Sequence, residues 1–309
     1  MTGQATGRAQ IARWLVGRTR PLLPTLAVSV VARIANQLFG VALLVIAATT
    51  VADAATGRPI DVPALIVWLA GVALAKALLR YLEHYAGHWV AFAALQRLRE
   101  LLFARLVPQA PAATQGRAGA ELTERAIGDI DRIEVFFAHT LPPAVAAFAV
   151  PAITLVWLGA TVDAVLAAAL APFVLAVLLV PITAGSVTWR AARSVGAARG
   201  ALAARLGDDI QGTREILALD AAGTRLRGLE AADRRLSAAR TAAGRIPAIR
   251  GAVTVLLQAA ALLALTVVAG SSGAPFAATV CALAVAVGLW APARGVDDFA
   301  AGLDAALAA

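Results

Sequence analysis

Two groups of polar residues lie within apolar segments of the chain. In the first group, Arg33 is followed one helical turn later by Asn36 and Gln37. An arginine at the centre of a bilayer costs about 3 kcal/mol even on the lenient insertion scale, so it should face a bundle interior or a water-filled cavity. The group therefore predicts one of three arrangements. It forms a surface for an anionic or zwitterionic substrate, it joins helices as a buried polar cluster, or Arg33 lies nearer the inner headgroups.

The second group consists of Lys76 and Arg80, which are one helical turn apart in the next apolar segment. Both side chains can line the same substrate path as Arg33. Alternatively, their aliphatic stems stay in the apolar layer while the charged ends extend to the headgroups.

His84 and His88 follow on the same segment and are two of the three histidines in the chain. Residues four apart share one face of a helix, so the two imidazoles could hold a small metal ion. The only other potential metal ligand nearby is Glu83, and its position in the helix directs its side chain away from the two imidazoles. The simpler interpretation is that both histidines are interfacial side chains hydrogen-bonded to neighbouring helices or water.

Acidic residues are concentrated in two polar segments between apolar ones. They are Glu121, Asp129 and Asp131 in the first segment, and Asp208, Asp209 and Glu215 in the second. No enclosed pocket or nucleophile is predicted near them, so they are not interpreted as catalytic carboxylates. The single cysteine, Cys281, lies in an apolar run and is predicted to be a packing residue, without a disulfide or CxxC motif.

The composition is that of a membrane protein. The chain is 60% hydrophobic and 15% charged, where a soluble domain has roughly 25% charged residues. Its mean hydropathy is +0.78. The net charge is +8, and the basic residues flank the apolar segments. This distribution indicates contact with anionic membrane lipids rather than with nucleic acid.

Six apolar segments are close to the length of about 20 residues that spans a bilayer. They are residues 22–52, 62–82, 141–158, 164–183, 253–269 and 274–291. Arginines are concentrated in residues 1–20, which form an arm and a short membrane-surface elbow, and in two loops at residues 97–135 and 190–250. This asymmetry places the loops and both termini in the cytoplasm.

The second, fourth and fifth helices are predicted to continue beyond the membrane. Pro63–Leu106 contains no proline after its first residue and only two glycines, and a helix of this length would measure about 66 Å, twice the hydrocarbon thickness. Trp189–Leu236 is amphipathic, and Pro247 marks a bend or a helix start. The predicted fold class is all-α: a polytopic membrane protein with six transmembrane helices extended into a cytoplasmic stalk.

Two loop sequences carry a family resemblance. Glu121–Asp131 and Asp209–Gly223, the second of which includes Gly212, resemble the two coupling loops of ABC exporter half-transporters of the type-1 exporter fold. The resemblance implies that Glu121, Asp129, Asp131, Asp209, Gly212 and Glu215 dock against an ATPase. It also implies a second exporter half, identical or different, and a bacterial cytoplasmic (inner) membrane.

Within that superfamily, Arg80–Arg99 and Leu106–Ala112 are similar to CydC, and Leu141–Pro151 is similar to CydD. This pair is a thiol exporter group tied to cytochrome bd assembly. The resemblance implies a thiol substrate such as cysteine or glutathione. The alternative substrate is an amphipathic drug, a lipid or a peptide. The resemblance also implies a haem with His88 as axial ligand and His84 beside it, since a neutral imidazole binds haem iron well.

The chain lacks the motifs of a nucleotide-binding domain. It contains no GxxxxGK[ST] loop, Leu-Ser-Gly-Gly-Gln signature or Walker B motif, and its only lysine is Lys76. We therefore expect no enzymatic activity and no cofactor on the chain itself, with ATP and Mg²⁺ bound by an ATPase partner. The alternatives are a truncated half-transporter and a haem-binding or regulatory protein that no longer transports. A secondary transporter would show inverted repeats and broken helices, which the sequence does not indicate.

Overall fold

The computed structural model describes residues 20–109, 141–181, 185–292 and 295–296. Within these residues the secondary structure is helical, with eight α-helices and short 3₁₀ turns at Arg20–Leu22 and Val107–Gln109. The α-helices are α1 (Leu23–Ala55), α2 (Val62–Leu106), α3 (Leu141–Thr161), α4 (Ala164–Leu179), α5 (Gly185–Gln211), α6 (Thr213–Ala218), α7 (Ala222–Ser272) and α8 (Phe276–Gly288). The predicted arm and the first acidic loop, with Glu121, Asp129 and Asp131, lie outside the described residues.

Four of the described helices are long and apolar enough to cross a membrane: α1, α2, α3 and α7. The apolar helices α4 and α8 are shorter. The all-α fold class is thus confirmed, with four candidate spans in the part of the chain that the structure describes.

Side-chain caps define where two of these helices begin. The carboxylate of Asp61 accepts a hydrogen bond from the backbone nitrogen of Ala64 at 3.0 Å, at the start of α2. Asp163 accepts hydrogen bonds from the backbone nitrogens of Val165 and Leu166 at 2.8 and 2.9 Å, at the start of α4. Each carboxylate satisfies backbone donors that the first helical turn leaves without an intrahelical partner.

The prolines act differently in α2 and α7. In α2 the only proline is in the first turn, where a missing backbone N–H costs little, and the helix continues to Leu106 as the sequence predicts. Pro247, in contrast, lies inside α7. Of the two predicted alternatives, a helix start there is therefore wrong, and a bend stays a prediction. A proline removes one backbone hydrogen bond, and the long helical stretches on both sides of Pro247 are sufficient to keep α7 continuous.

The chain divides into two compact units. The first contains residues 1–178 and 258–309, and the second is Leu179–Leu257. The core of the first unit consists of aliphatic side chains from α1, α3, α4, α8 and the C-terminal part of α7. Fully buried examples are Val150, Leu158, Leu166, Leu265 and Val285.

The second unit contains α5, α6 and most of α7. Arg205 on α5 donates to the backbone oxygen of Gly228 on α7 at 2.7 Å. The guanidinium of Arg225 on α7 forms an ion pair with the mostly buried carboxylate of Asp209 on α5. These two contacts hold the helices on either side of α6 together.

Candidate functional site

A polar cluster joins α1 and α2 within the first unit. On each helix, three side chains at positions i, i+4 and i+7 form one stripe. The cluster consists of Ser29, Arg33 and Asn36 on α1, and Lys76, Arg80 and Glu83 on α2. The contacts pair Ser29 with Glu83 and Asn36 with Lys76, so the two stripes run antiparallel.

Glu83 is the centre of the cluster, and only 5% of its surface is exposed. Its carboxylate accepts a charge-assisted hydrogen bond from Nη1 of Arg33. The amide nitrogen of Asn36 donates to the other carboxylate oxygen at 3.4 Å, and Ser29 Oγ donates to the backbone oxygen of Glu83 at 3.0 Å. Three residues of α1 therefore hold one residue of α2.

The two remaining cations of the cluster are held less tightly. Lys76 Nζ donates to Asn36 Oδ1 at 2.8 Å. A Cβ atom at Gly40 would lie 3.7 Å from Lys76 Cε, in ordinary van der Waals contact, so the lysine stem lies against α1 at this glycine. The Arg80 side chain is 55% exposed, and its Nη1 atom is 3.7 Å from the Glu83 carboxylate. Lys76 therefore belongs to the cluster itself, whereas Arg80 lies at its edge.

The cluster carries more positive than negative charge. Its ionisable groups are three cations (Arg33, Lys76 and Arg80) and one carboxylate (Glu83), a formal balance of 3 − 1 = +2. In addition, Arg33 Nε and Gln37 Oε1 are buried without a hydrogen-bond partner. Buried polar groups normally have partners, so this pair of atoms can accommodate a ligand that carries both an acceptor and a donor.

The two histidines are stacked along one face of α2. The ring centroids of His84 and His88 are 6.2 Å apart and nearly parallel, and Phe92 stacks on His88 at 5.9 Å. Both imidazoles are partly buried. Because they project from the same helix face, they cannot bind one iron from opposite sides, and a haem would take a single axial imidazole. Among the described residues, no group of three histidine, cysteine or acidic side chains is placed to hold a metal ion.

A cavity lies between α1 and α3, also within the first unit. It has a volume of about 360 Å³ and is lined by aliphatic side chains of α1, together with Ile153, Thr154 and Trp157 of α3. Thr154 is 3% exposed, and its hydroxyl has no hydrogen-bond partner. We call this cavity the apolar groove. The sequence did not indicate it.

The predicted second coupling loop is the turn between α5 and α7 in the second unit. Gly212 is the first residue before α6, and a Cβ atom there would lie 3.1 Å from the backbone oxygen of Asp208. Glu215 is exposed in the first turn of α6, and Asp209 is paired with Arg225. Leu217 and Leu219 are 70% and 77% exposed, so this turn presents both apolar and acidic side chains.

Sequence reasoning identified Arg33, Asn36, Lys76 and Arg80 but missed Glu83 and Ser29 as their partners. Glu83 lies on the same face of α2 as Lys76 and Arg80, at helical spacing. An acidic residue at such a position in an apolar helix is expected to pair with a basic one. This signal was present in the sequence, although it does not tell which helix supplies the partner.

Comparison with known proteins gives partial matches. Residues 23–285 match the family model of the ABC transporter transmembrane region. A probable ABC transporter ATP-binding/permease protein of Haemophilus influenzae is 30% identical over 172 residues, which cover 54% of this chain and 30% of that protein. The glutathione/L-cysteine transport system ATP-binding/permease protein CydC of Escherichia coli is 32% identical over 80 residues, 26% of this chain and 14% of that protein. The chain thus spans less than a third of the length of these relatives.

Proposed function

Because the chain belongs to the ABC transporter transmembrane family, we propose that it is the permease part of an ATP-driven exporter for a small anionic or zwitterionic substrate. The observation that carries the substrate proposal is the α1–α2 cluster. It places three cations and one carboxylate among helices long and apolar enough to cross a membrane. Ionisable groups at such positions are costly and typically mark a transport pathway.

The proposed topology has six transmembrane helices. The four candidate spans would be completed by the shorter apolar helices α4 and α8. With the arginine-rich segments inside, both termini would be cytoplasmic in a bacterial inner membrane. The permease would pair with a second exporter half, identical or different, as the family implies.

ATP and Mg²⁺ would be bound by an ATPase subunit or domain that docks on the cytoplasmic loops. In the second unit, the docking surface would be the turn around α6, where acidic and apolar side chains are exposed. The Asp209–Arg225 pair and the Arg205–Gly228 hydrogen bond brace the helices that flank this turn. A push on α6 would then move α5 and α7 together. Glu121, Asp129 and Asp131 would form the other docking loop.

The proposed substrate is a small thiol such as cysteine or glutathione. Support comes from a relative that is named as part of a glutathione/L-cysteine transport system. Both molecules carry carboxylates, and the excess positive charge around Arg33 and Lys76 suits such a group. Gln37, with its unpaired oxygen, would accept a hydrogen bond from the amino group.

Affinity purification from native membranes tests this function. The tagged chain would be isolated in mild detergent, its companions identified by mass spectrometry, and ATP hydrolysis measured with and without glutathione. We expect an ATP-binding subunit to co-purify and its hydrolysis to rise with substrate. Recovery of the chain alone, without hydrolysis, would contradict the proposal.

A matched pair of charge reversals tests the docking surface. Glu215→Arg on α6 is expected to abolish co-purification of the ATPase, because like charges replace a complementary contact. Glu230→Arg on α7 is the control: Glu230 is also exposed and has only a 3.7 Å contact with Arg234. Equal loss of the ATPase in both variants would show that α6 is not the docking surface.

A second candidate function is that of a haem-binding or regulatory protein derived from an exporter. The partly buried, stacked imidazoles of His84 and His88 favour it. His88 would hold the haem through its imidazole, and the haem would supply redox and ligand chemistry. Titration of the purified protein with hemin would show a Soret band that is lost in His88→Ala and retained in His84→Ala. A band unaffected by both changes would exclude this site.

A further inference from the structure

We propose that Glu83 is a tethered competitor of the substrate carboxylate, and that it sets the selectivity of the α1–α2 cluster for anions. Its carboxylate neutralises Arg33 and lies near Arg80. When an anionic substrate enters, the substrate carboxylate would replace Glu83 on these cations. The inference rests on the proposed function, since it names a specificity-determining residue of that site.

The geometry of the Arg33–Glu83 pair favours exchange. An arginine can bind a carboxylate with two parallel hydrogen bonds, which is its strongest arrangement. Here Arg33 donates to Glu83 through Nη1, while its Nε is buried without a partner. The guanidinium therefore retains an unused donor on the edge formed by Nε and Nη2. A substrate carboxylate can make a two-pronged contact there and compete with Glu83, which uses only Nη1, for the charge of Arg33.

Lys76 provides a second attachment point. Among the described residues, its hydrogen-bond partner is the neutral amide oxygen of Asn36. The same amide donates to the Glu83 carboxylate at 3.4 Å. Because Asn36 contacts both groups, movement of Glu83 away from α1 would release the amide and leave the ammonium of Lys76 accessible to an anion.

The charge balance explains why the cluster needs an internal carboxylate. Three cations without a counter-charge in an apolar bundle would carry a large desolvation penalty. With Glu83 in place the formal excess is two, and a substrate of net charge −1 that replaces Glu83 on the cations keeps it at 3 − 1 = +2. Glu83 thus permits the cluster to exist without substrate, and its return to Arg33 would help to expel the substrate when the site opens outward.

Equilibrium binding in lipid nanodiscs tests the exchange. The assembly of the full chain with its ATPase would be titrated with S-methylglutathione, which keeps both carboxylates and cannot form disulfides, and with its dimethyl ester, which has no carboxylates. Loss of the competing charge in Glu83→Gln should tighten binding of the acid about tenfold and leave binding of the ester unchanged.

Glu100→Gln is the matched control. Glu100 lies further along α2, where it accepts a hydrogen bond from the exposed Gln96 at 3.0 Å, and it takes no part in the cluster. Its substitution should leave the affinity for both compounds at the wild-type value. If Glu83→Gln fails to assemble in size-exclusion chromatography, Glu83→Asp keeps the charge but shortens the side chain. This variant should give a smaller gain in affinity, again for the acid alone.

The outcomes separate this inference from the proposed function. A Glu83→Gln assembly that binds the acid no more tightly than wild type, or that gains affinity equally for acid and ester, overturns the competitor role. Absence of acid binding in both the wild-type and the variant assembly also overturns it. The exporter function stands or falls separately, on co-purification of the ATPase and on its hydrolysis of ATP.

Discussion

The two sides of α1 pack against their neighbouring helices in different ways. Towards α2, α1 presents Ser29, Arg33 and Asn36, which are all engaged with polar partners. Towards α3, it presents aliphatic side chains around the apolar groove of about 360 Å³. Thr154, the polar group on the α3 side of this groove, has a hydroxyl without a partner.

The α1–α2 contact therefore determines how the two helices align, whereas the α1–α3 contact leaves an unfilled volume. Directional hydrogen bonds fix one antiparallel register between α1 and α2, because a shift by one residue would strand Glu83 away from Arg33. Apolar contacts have no such directionality, so the α1–α3 contact tolerates an unfilled volume. The polar side of α1 should therefore be sensitive to single substitutions, and the apolar side should be tolerant.

The largest expected effect comes from breaking the Arg33–Glu83 pair. Replacement of Arg33 removes the closest cation from the buried Glu83 carboxylate and leaves it with the more distant Arg80, 3.7 Å away, so Arg33→Met should lower the free energy of unfolding by about 3 kcal/mol. The measurement is titration with sodium dodecyl sulfate in mixed micelles, with helicity followed by circular dichroism.

The double variant Arg33→Met/Glu83→Met provides the control for this prediction. It removes both charges, and apolar replacement of a complete buried pair is often neutral or stabilising. We expect its stability to lie within about 1 kcal/mol of wild type. If the two single losses simply add in the double variant, Arg33 and Glu83 do not stabilise each other, and the contrast between the two sides of α1 would not rest on this pair.

The helices themselves could largely be predicted from the sequence. Long apolar runs without internal proline identify α1 and α2, since every backbone group in a bilayer must be satisfied within the helix. Local rules failed at Pro247, which lies inside α7. A proline restricts the chain only near its own position, and the preference of more than twenty flanking residues on each side outweighs it.

The site could be predicted only in part. Spacing within one helix placed Lys76 and Arg80 on a common face, and the cost of a charge in a membrane drew attention to Arg33. The pairing of Arg33 with Glu83 was not predictable, because it depends on the register of two helices across 50 residues of sequence. The apolar groove was even less predictable from the sequence. The residues that line it are of the same types as ordinary core residues, and only the volume beside them is unfilled.

Replacement of Asn36 is expected to have the next largest effect on the polar contact between α1 and α2. Asn36→Leu removes the hydrogen bond that Lys76 donates at 2.8 Å and the one that Glu83 accepts at 3.4 Å. Hydrogen bonds to charged groups contribute more than neutral ones, so we expect a loss of about 2 kcal/mol in the same unfolding titration. Gln37→Leu is the neighbouring control, because its oxygen has no partner to lose. A larger loss for Gln37→Leu would show that burial, not the hydrogen bonds of Asn36, sets the cost.

The smallest and most discriminating effect comes from deleting one hydroxyl on each side of α1. Ser29 Oγ donates to the backbone oxygen of Glu83 at 3.0 Å, so Ser29→Ala should cost about 1 kcal/mol. The Thr154 hydroxyl is equally buried but unpaired. Thr154→Val removes a desolvated polar group at constant shape and should leave the stability unchanged or raise it by about 0.5 kcal/mol. Both variants would be measured in the same micelles. If both variants lose the same free energy of unfolding, the Thr154 hydroxyl has a hydrogen-bond partner in the membrane-embedded protein. The buried hydroxyls on the two sides of α1 would then both be hydrogen-bonded.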